Sequence, residues 1–279
     1  MSKAKKLNMN GRVLYRGPSA LDGAPIVVIA IGFDMSSSNS KTGDMIQTYI
    51  LRADMRPNEA VRTGQDSSIC GDCIHRGIVV TDKTGETKNV GRTCYVNYGQ
   101  GPLSAYDCFI AGGYPDWDEA RDRPLVIGRK VRIASYGEST AAPFVVWTNL
   151  LIGTDGNTGY THQWRDPRFA AFRDLCMASV DTDDEMHEAH ALGWRTFRVG
   201  LPGDSQTRKV EALCPASAEA GRRLKCADCM ACSGRGFGSA PRLSGSIYIP
   251  AHGGFAVMAN INKRAAQKFL TVVRNEEAA

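Results

Sequence analysis

From residue 130 onward the chain alternates between two kinds of segment, and this rhythm constrains the fold more than any other feature. KVRIAS (130–135), TGYTHQ (158–163), CMASVD (176–181), WRTFRV (194–199), KVEALC (209–214) and SGSIYIP (244–250) read as strands. AAPFVVWTNLLIG (141–153), PRFAAFRDL (167–175), DEMHEAHAL (184–192), ASAEAGRRL (216–224) and NKRAAQKFLTVV (262–273) read as helices. Strands joined by crossover helices pair in parallel, and short apolar strands are those covered on both faces. No G-x-G-x-x-G follows a strand, which argues against a dinucleotide-binding unit. The pattern predicts an α/β protein with a partial or open (β/α) barrel over residues 126–279.

Residues 24–125 read differently. PIVVIAIGF (25–33) and DMIQTYILR (44–52) are strand-like, with the polar loop MSSSNSKTG between them. GIVVTDKTGETKNVGRTCYV (77–96) carries two β-type runs around Lys-Thr-Gly-Glu, a hairpin signal. This makes a β-rich N-terminal portion, preceded by a flexible arm over residues 1–23. The longest apolar run, APIVVIAIGF (24–33), falls short of the roughly 18–20 residues that span a bilayer. MSKAKKLNMNGR has charge but no apolar signal-peptide core. The expectation is a cytoplasmic protein with no membrane partner. A net charge of +5, from 34 basic and 29 acidic residues, permits contact with nucleic acid without demanding it.

Nine cysteines in a reducing compartment point to metal or reactive thiols rather than disulfides. A chain of 279 residues, 43% hydrophobic, can bury a core without such staples. One group is Cys214, Cys226, Cys229 and Cys232, a C-x-x-C-x-x-C run with a remote Cys-Pro. Its spacing resembles that of bacterial ferredoxins, whereas zinc ribbons use two separated C-x-x-C knuckles. A 4Fe–4S iron–sulfur cluster is expected there, with zinc as the alternative. The other group is Cys70, Cys73 and Cys94. Its fourth ligand is open between Cys108, His75 and none. Three thiolates with a vacancy suit a catalytic cluster, and a closed set suits a structural metal. Cys176, in an apolar strand, reads as a small buried hydrophobe.

In (β/α) barrels the reacting groups lie at the C-terminal ends of strands. That rule places Tyr136 and Glu138 after the first barrel strand, His162 and Trp164 after the second, and Asp181 after the third. Arg198 ends the fourth, Cys214 the fifth, and His252 follows the last. His162, Arg198 and His252 are the catalytic candidates, and Tyr136 and Glu138 the cofactor-binding ones. Asp181 also suits a helix N-cap. His187 and His190 read as a helix surface, GRGFG (234–238) as a loop, and SKTG (40–43) lacks P-loop glycine spacing.

The blocks SNSKTGDMIQTYIL, SSICGDCIHRG, TCYVNYGQGP, YTHQW, MASVD, GWRTFRV, CPASAEAG and CADCMACSG together resemble the phage gene 88 protein family, in the same order over residues 36–255. The resemblance implies a bacteriophage protein working in the bacterial cytoplasm, and it carries no reaction. The layout, with cysteines before and after a partial barrel, is more loosely similar to the radical S-adenosylmethionine enzymes. Their C-x-x-x-C-x-x-C motif does not occur, so Cys70, Cys73 and Cys94 would take its place. The expectation is an iron–sulfur protein acting as a divergent radical-type or redox enzyme. The alternative is a zinc-stabilised protein that binds nucleic acid or a partner without catalysis.

Overall fold

The computed structural model describes residues 7–34, 41–207, 209–221, 224–236, 245–252 and 257–264. Strands β1 (Gly11–Pro18), β2 (Pro25–Ile31) and β3 (Ile46–Arg52) pair antiparallel in succession. Ile26 to Ala30 of β2 are buried on both faces, as an unbroken apolar run requires. β4 (Ile78–Thr81) and β5 (Thr87–Val90) form the predicted hairpin. β6 (Val131–Tyr136) and β7 (Asn157–Thr158) extend the first sheet in parallel, in the order β1-β2-β3-β6-β7. The second sheet contains β8 (Tyr160–Thr161), β9 (Met177–Val180), β10 (Thr196–Gly200), β11 (Glu211–Leu213) and β12 (Ser246–Pro250). Its order is β11-β12-β10-β9-β8, and every pairing is parallel.

The sheets meet at residues 157–161. Asn157 and Thr158 pair with β6, while Tyr160 and Thr161 pair with β9. Gly159 marks the switch: a Cβ there would stand 2.9 Å from the Cys176 sulfur and 3.2 Å from Ile133 Cβ. From β3 onward the parallel strands therefore run as one series, and their C-terminal ends share an edge.

The second sheet separates two cores. Met177 of β9 joins Cys214, Ile247 and Ile249 on the inner face, packed with Tyr160, Phe197, Val199 and Cys232. Ala178 and Val180 join the main core on the outer face, with Met186 and Ala189 of the helix Asp183–Ala191. This is the period-two alternation of a strand covered on both sides.

Several expectations change. Residues 11–18 are not part of a flexible arm, because β1 pairs with β2 and Arg12 is locked to the buried Asp122 at 2.7 Å. A division at residue 126 cuts the first sheet, since β6 joins β3 across it. PRFAAFRDL forms a 3-10 coil, Pro167–Asp174, in which Phe169 and Phe172 are buried. Residues three apart share a face in a 3-10 coil, so that period buries both rings. ASAEAGRRL contributes the 3-10 turn Ala218–Ala220. The closing helix over 262–273, the GRGFG loop and the 35–40 loop lie wholly or partly outside the described residues. Among the described residues no helix is long and apolar enough to cross a membrane.

Candidate functional site

After β3 the helices Pro57–Thr63 and Ser67–Cys70 carry the chain to the first cysteine. Gly71, with φ +57°, turns the backbone toward Cys73. The β4–β5 hairpin brings the chain back, and the Thr93 and Cys94 N–H groups both donate to the His75 carbonyl, at 3.1 and 3.0 Å. Cys70, Cys73 and Cys94 are thereby close enough to affect one another's ionisation. Burial pushes Cys70 well above the ordinary thiol range, and Asp66, Cys73 and Cys94 add to it. Burial also raises Cys94, against the pull of Arg92. The buried Tyr136 hydroxyl lies in the field of Cys70, Arg92 and Cys94 and has no hydrogen-bond partner among the described residues.

Next to these thiols stands a polar cluster built at the strand ends. Gly137, with φ +91°, turns the chain out of β6 so that the Glu138 N–H bonds the Ile69 carbonyl. The buried Glu138 carboxylate accepts from the His162 N–H at 2.9 Å and from Thr161 Oγ1 at 2.6 Å, and meets His162 Nδ1 at 3.2 Å. The ring is thus fixed with Nε2 3.6 Å from Cys73 Sγ. Burial works against the imidazolium, yet Cys73 and Glu138 outweigh it and hold the His162 pKa well above its ordinary value.

One strand over, Asp181 Oδ1 is 3.0 Å from His75 Nε2, and His75 Nδ1 is 2.7 Å from Thr93 Oγ1. Asp181 is free to do this because Thr182 is the N-cap of the helix Asp183–Ala191. Thr182 Oγ1 accepts from the Glu185 N–H at 3.1 Å, and Glu185 accepts from the Asp181 N–H at 2.8 Å. The cap is Thr182, one residue on from the predicted cap, and Glu185 reaches back past it to the preceding N–H, a variant of the capping box. Burial disfavours the Asp181 carboxylate, but the His75 contact outweighs it and lowers its pKa.

The second cysteine group faces the inner core. The Cys214 N–H donates to the Tyr248 carbonyl at 2.8 Å. The N–H groups of Cys226 and Ala227 donate to the Lys41 and Thr42 carbonyls, both at 2.9 Å. Met230, in the left-handed region at φ +50°, ends the short helix Cys226–Cys229, and the Cys232 carbonyl accepts from Gly159 at 3.0 Å. Lys130 and Arg195 donate to loop carbonyls, at 2.7 Å to Ala227 and 2.9 Å to Ala231. Burial pushes the Cys232 thiol up to about 12; a Tyr160 bond pulls it down, and Cys214, Cys226 and Cys229 push it up. Arg132, buried on β6, donates to Tyr95 Oη at 2.8 Å. Burial works against its charge, but Tyr95, Tyr160, Cys226 and Cys232 outweigh that and raise its pKa.

The structure therefore gathers Cys70, Cys73, Cys94, Tyr136, Glu138 and His162 at one place, and Cys214, Cys226, Cys229 and Cys232 at another. His252 lies toward the second group, with Nε2 2.6 Å from Lys41 Nζ and its ring 6.2 Å from Tyr95. Arg198 does not join the site. Its guanidinium is held by Glu211 at 2.6 and 2.9 Å, by the Ser205 carbonyl at 2.8 Å and by Asp183 at 3.1 Å. Cys108 lies elsewhere, with its sulfur 3.9 Å from Asn8 Nδ2 and beside Gly113. Cys176 is buried on Ser139, and burial pushes it up to about 12, as a core thiol should be. The Trp164 indole N–H is spent on the Ser179 carbonyl at 3.1 Å. Sequence reasoning missed Arg132, Tyr95 and the pairing of His75 with Asp181. His75 follows Cys73 by two positions, which was the available signal.

Among the described residues, one set of three or more His, Cys, Asp or Glu has all its donor atoms within 4.8 Å of one another: His75, His162 and Asp181. Neither cysteine group meets that spacing. No known family model, curated protein or solved structure matches the chain.

Proposed function

We propose that this is an iron–sulfur redox enzyme with a partial (β/α) barrel, phage-encoded and acting in the bacterial cytoplasm. Cys70, Cys73 and Cys94 would hold the reactive centre, and Cys214, Cys226, Cys229 and Cys232 the second. The gathering of the cysteines into two groups, within each of which the thiols influence one another's charge, carries the reading. The C-x-x-C-x-x-C run of the second group has the spacing that bacterial iron–sulfur proteins use. The partnerless Tyr136 hydroxyl supports a bound acceptor beside Cys70 and Cys94, because leaving it unpaired costs about 1–3 kcal/mol.

Iron–sulfur clusters supply one-electron chemistry, and an iron without a protein thiolate can take a substrate. The chain's own residues have defined tasks around such a group. Tyr136 would direct its hydroxyl hydrogen toward it. Glu138 fixes the His162 ring, and His162 Nε2 holds or releases a proton at the face of Cys73. Arg132 offsets thiolate charge at the second group while it positions Tyr95, the neighbour of Cys94. The parallel series with these groups at its C-terminal edge supports the barrel. The zinc-stabilised binding protein is favoured by no specific observation.

Anaerobic purification, followed by iron, sulfide and zinc analysis and electron paramagnetic resonance, tests the proposal. About four irons and four sulfides per centre are expected. One or two zinc ions with no sulfide would overturn it.

A further inference from the structure

We propose a metal site of another kind beside the first cysteine group: a divalent transition-metal ion bound by His75, His162 and Asp181. The three residues come from separate elements, the turn after Cys73 and the ends of β8 and β9, and their donor atoms fall within 4.8 Å of one another. Their side chains are partly buried, at 16%, 20% and 12% exposure, so the site is shielded yet reachable. Each ring has its far nitrogen occupied. His162 Nδ1 faces the Glu138 carboxylate at 3.2 Å. His75 Nδ1 faces Thr93 Oγ1 at 2.7 Å, and that oxygen accepts from Arg264 Nη1 at 3.0 Å. With both Nδ1 atoms engaged outward, both Nε2 atoms face the interior, where a metal ion would displace the protons they share with Cys73 and Asp181; outer-shell contacts of this kind orient metal-binding histidines.

His75 Nε2 and Asp181 Oδ1 approach to 3.0 Å, a contact that one proton closes in the metal-free chain and that a cation would close in the loaded one. The two imidazoles approach edge to face, with centroids 5.7 Å apart, so they converge without stacking. Two imidazoles and one carboxylate suit zinc, iron(II), cobalt(II) or manganese(II) and leave positions open for a substrate. Magnesium and calcium prefer all-oxygen sites. The Cys73 sulfur borders this site, but no cysteine belongs to it, so the inference does not rest on the iron–sulfur reading.

Cobalt(II) alone is the probe. The full chain with Cys70, Cys73 and Cys94 changed to serine is titrated and followed by visible d–d absorption. One cobalt per chain is expected, without thiolate charge-transfer bands. In that background Asp181→Asn, which leaves the Thr182 cap intact, and His75→Gln should each weaken binding more than tenfold. Glu138→Gln should weaken it about 10- to 100-fold through the His162 ring. If the serine background does not fold, the same substitutions in the unaltered chain are compared by the d–d bands alone. Cobalt bound as tightly by Asp181→Asn and His75→Gln as by their parent would overturn the site. So would a folded parent that binds none, or binding seen only with thiolate charge transfer. Iron and sulfide content, which tests the proposed clusters, is read separately.

Discussion

Arg198→Met should unfold much of what the protein has to spare, and it should do so without touching any reacting group. The Arg198 guanidinium and the Glu211 carboxylate are 2% and 0% exposed, and a two-point contact at 2.6 and 2.9 Å joins them. Arg198 also lies over the Tyr248 ring, 4.8 Å from its centroid. With the guanidinium gone, Glu211 keeps the Thr207 N–H at 2.9 Å but no cation. Stranding one partner of a buried pair costs about 3–5 kcal/mol. The Asp183 contact adds little, because that side chain is 58% exposed. Domains are stable by only about 5–15 kcal/mol, so the loss is at least about a fifth of the total. Glu211→Leu in the same chain should return much of it, since replacing both partners of a buried pair with apolar groups is often neutral. The measurement is a double-mutant cycle on urea midpoints by circular dichroism, where a coupling above about 2 kcal/mol is expected. A single Arg198→Met variant within 1 kcal/mol of wild type that nevertheless loses the proposed redox activity would refute this assignment and restore Arg198 to the site.

Asp122 carries an acid-sensitive lock on β1. Burial opposes its charge, but Arg121, the Asp118 N–H and Arg12 outweigh that and hold its pKa at about 2, down from 3.8. Its contribution, on the order of 2 kcal/mol, is full above pH 3.8, falls below that value and is gone below about pH 2; urea midpoints of Asp122→Asn should lack this part of the acid slope, and an unchanged slope would count against it. Tyr136→Phe should raise the stability of metal-free protein by about 1 kcal/mol, because an unpaired buried hydroxyl is removed, while weakening retention of iron in loaded protein. A phenylalanine that destabilises the metal-free chain would contradict the reading of Tyr136. On the proposed two-cluster reading, Cys232→Ser should lower iron content by about half and spare the first centre; loss of both signals would show the proposed centres are not independent. Ala134→Gly should raise the thermal midpoint, since Ala134 is held at φ +51°, a conformation that costs a side-chain-bearing residue about 1 kcal/mol.

The elements written in strong local code were readable. The apolar run of β2, the hairpin around Lys-Thr-Gly-Glu and the alternation that makes the second sheet parallel each follow from neighbours along the chain. Pairing between distant strands does not. Nothing near residues 131–136 says that β6 joins β3, or that Gly159 passes one strand from the first sheet to the second. The grouping of the cysteines was legible from spacing, but the pairing of His75 with Asp181 was not. The cap signal at Asp181-Thr182 is degenerate by one residue, and taking Asp181 as the cap hid a carboxylate that Thr182 leaves free.

Arg198 and Arg132 show what a strand-end rule omits. That rule says which edge a residue approaches, while strand parity decides which face it takes. On β10, Phe197 and Val199 pack in the inner core, so Arg198 must turn outward, to Glu211 and the start of the helix Asp183–Ala191. On β6, Val131 and Ile133 belong to the main core, so Arg132 must turn to the other face, where Tyr160 and Cys232 lie. Both faces of both strands are covered, so neither arginine reaches water by changing sides. Glu211 and Asp183 meet the charge of Arg198, while Arg132 has the Tyr95 hydroxyl as acceptor, the Tyr160 ring beneath it and the sulfurs of the second thiol group nearby. Parity thus assigns one arginine to the scaffold and the other to the site, and it does so from the apolar neighbours alone.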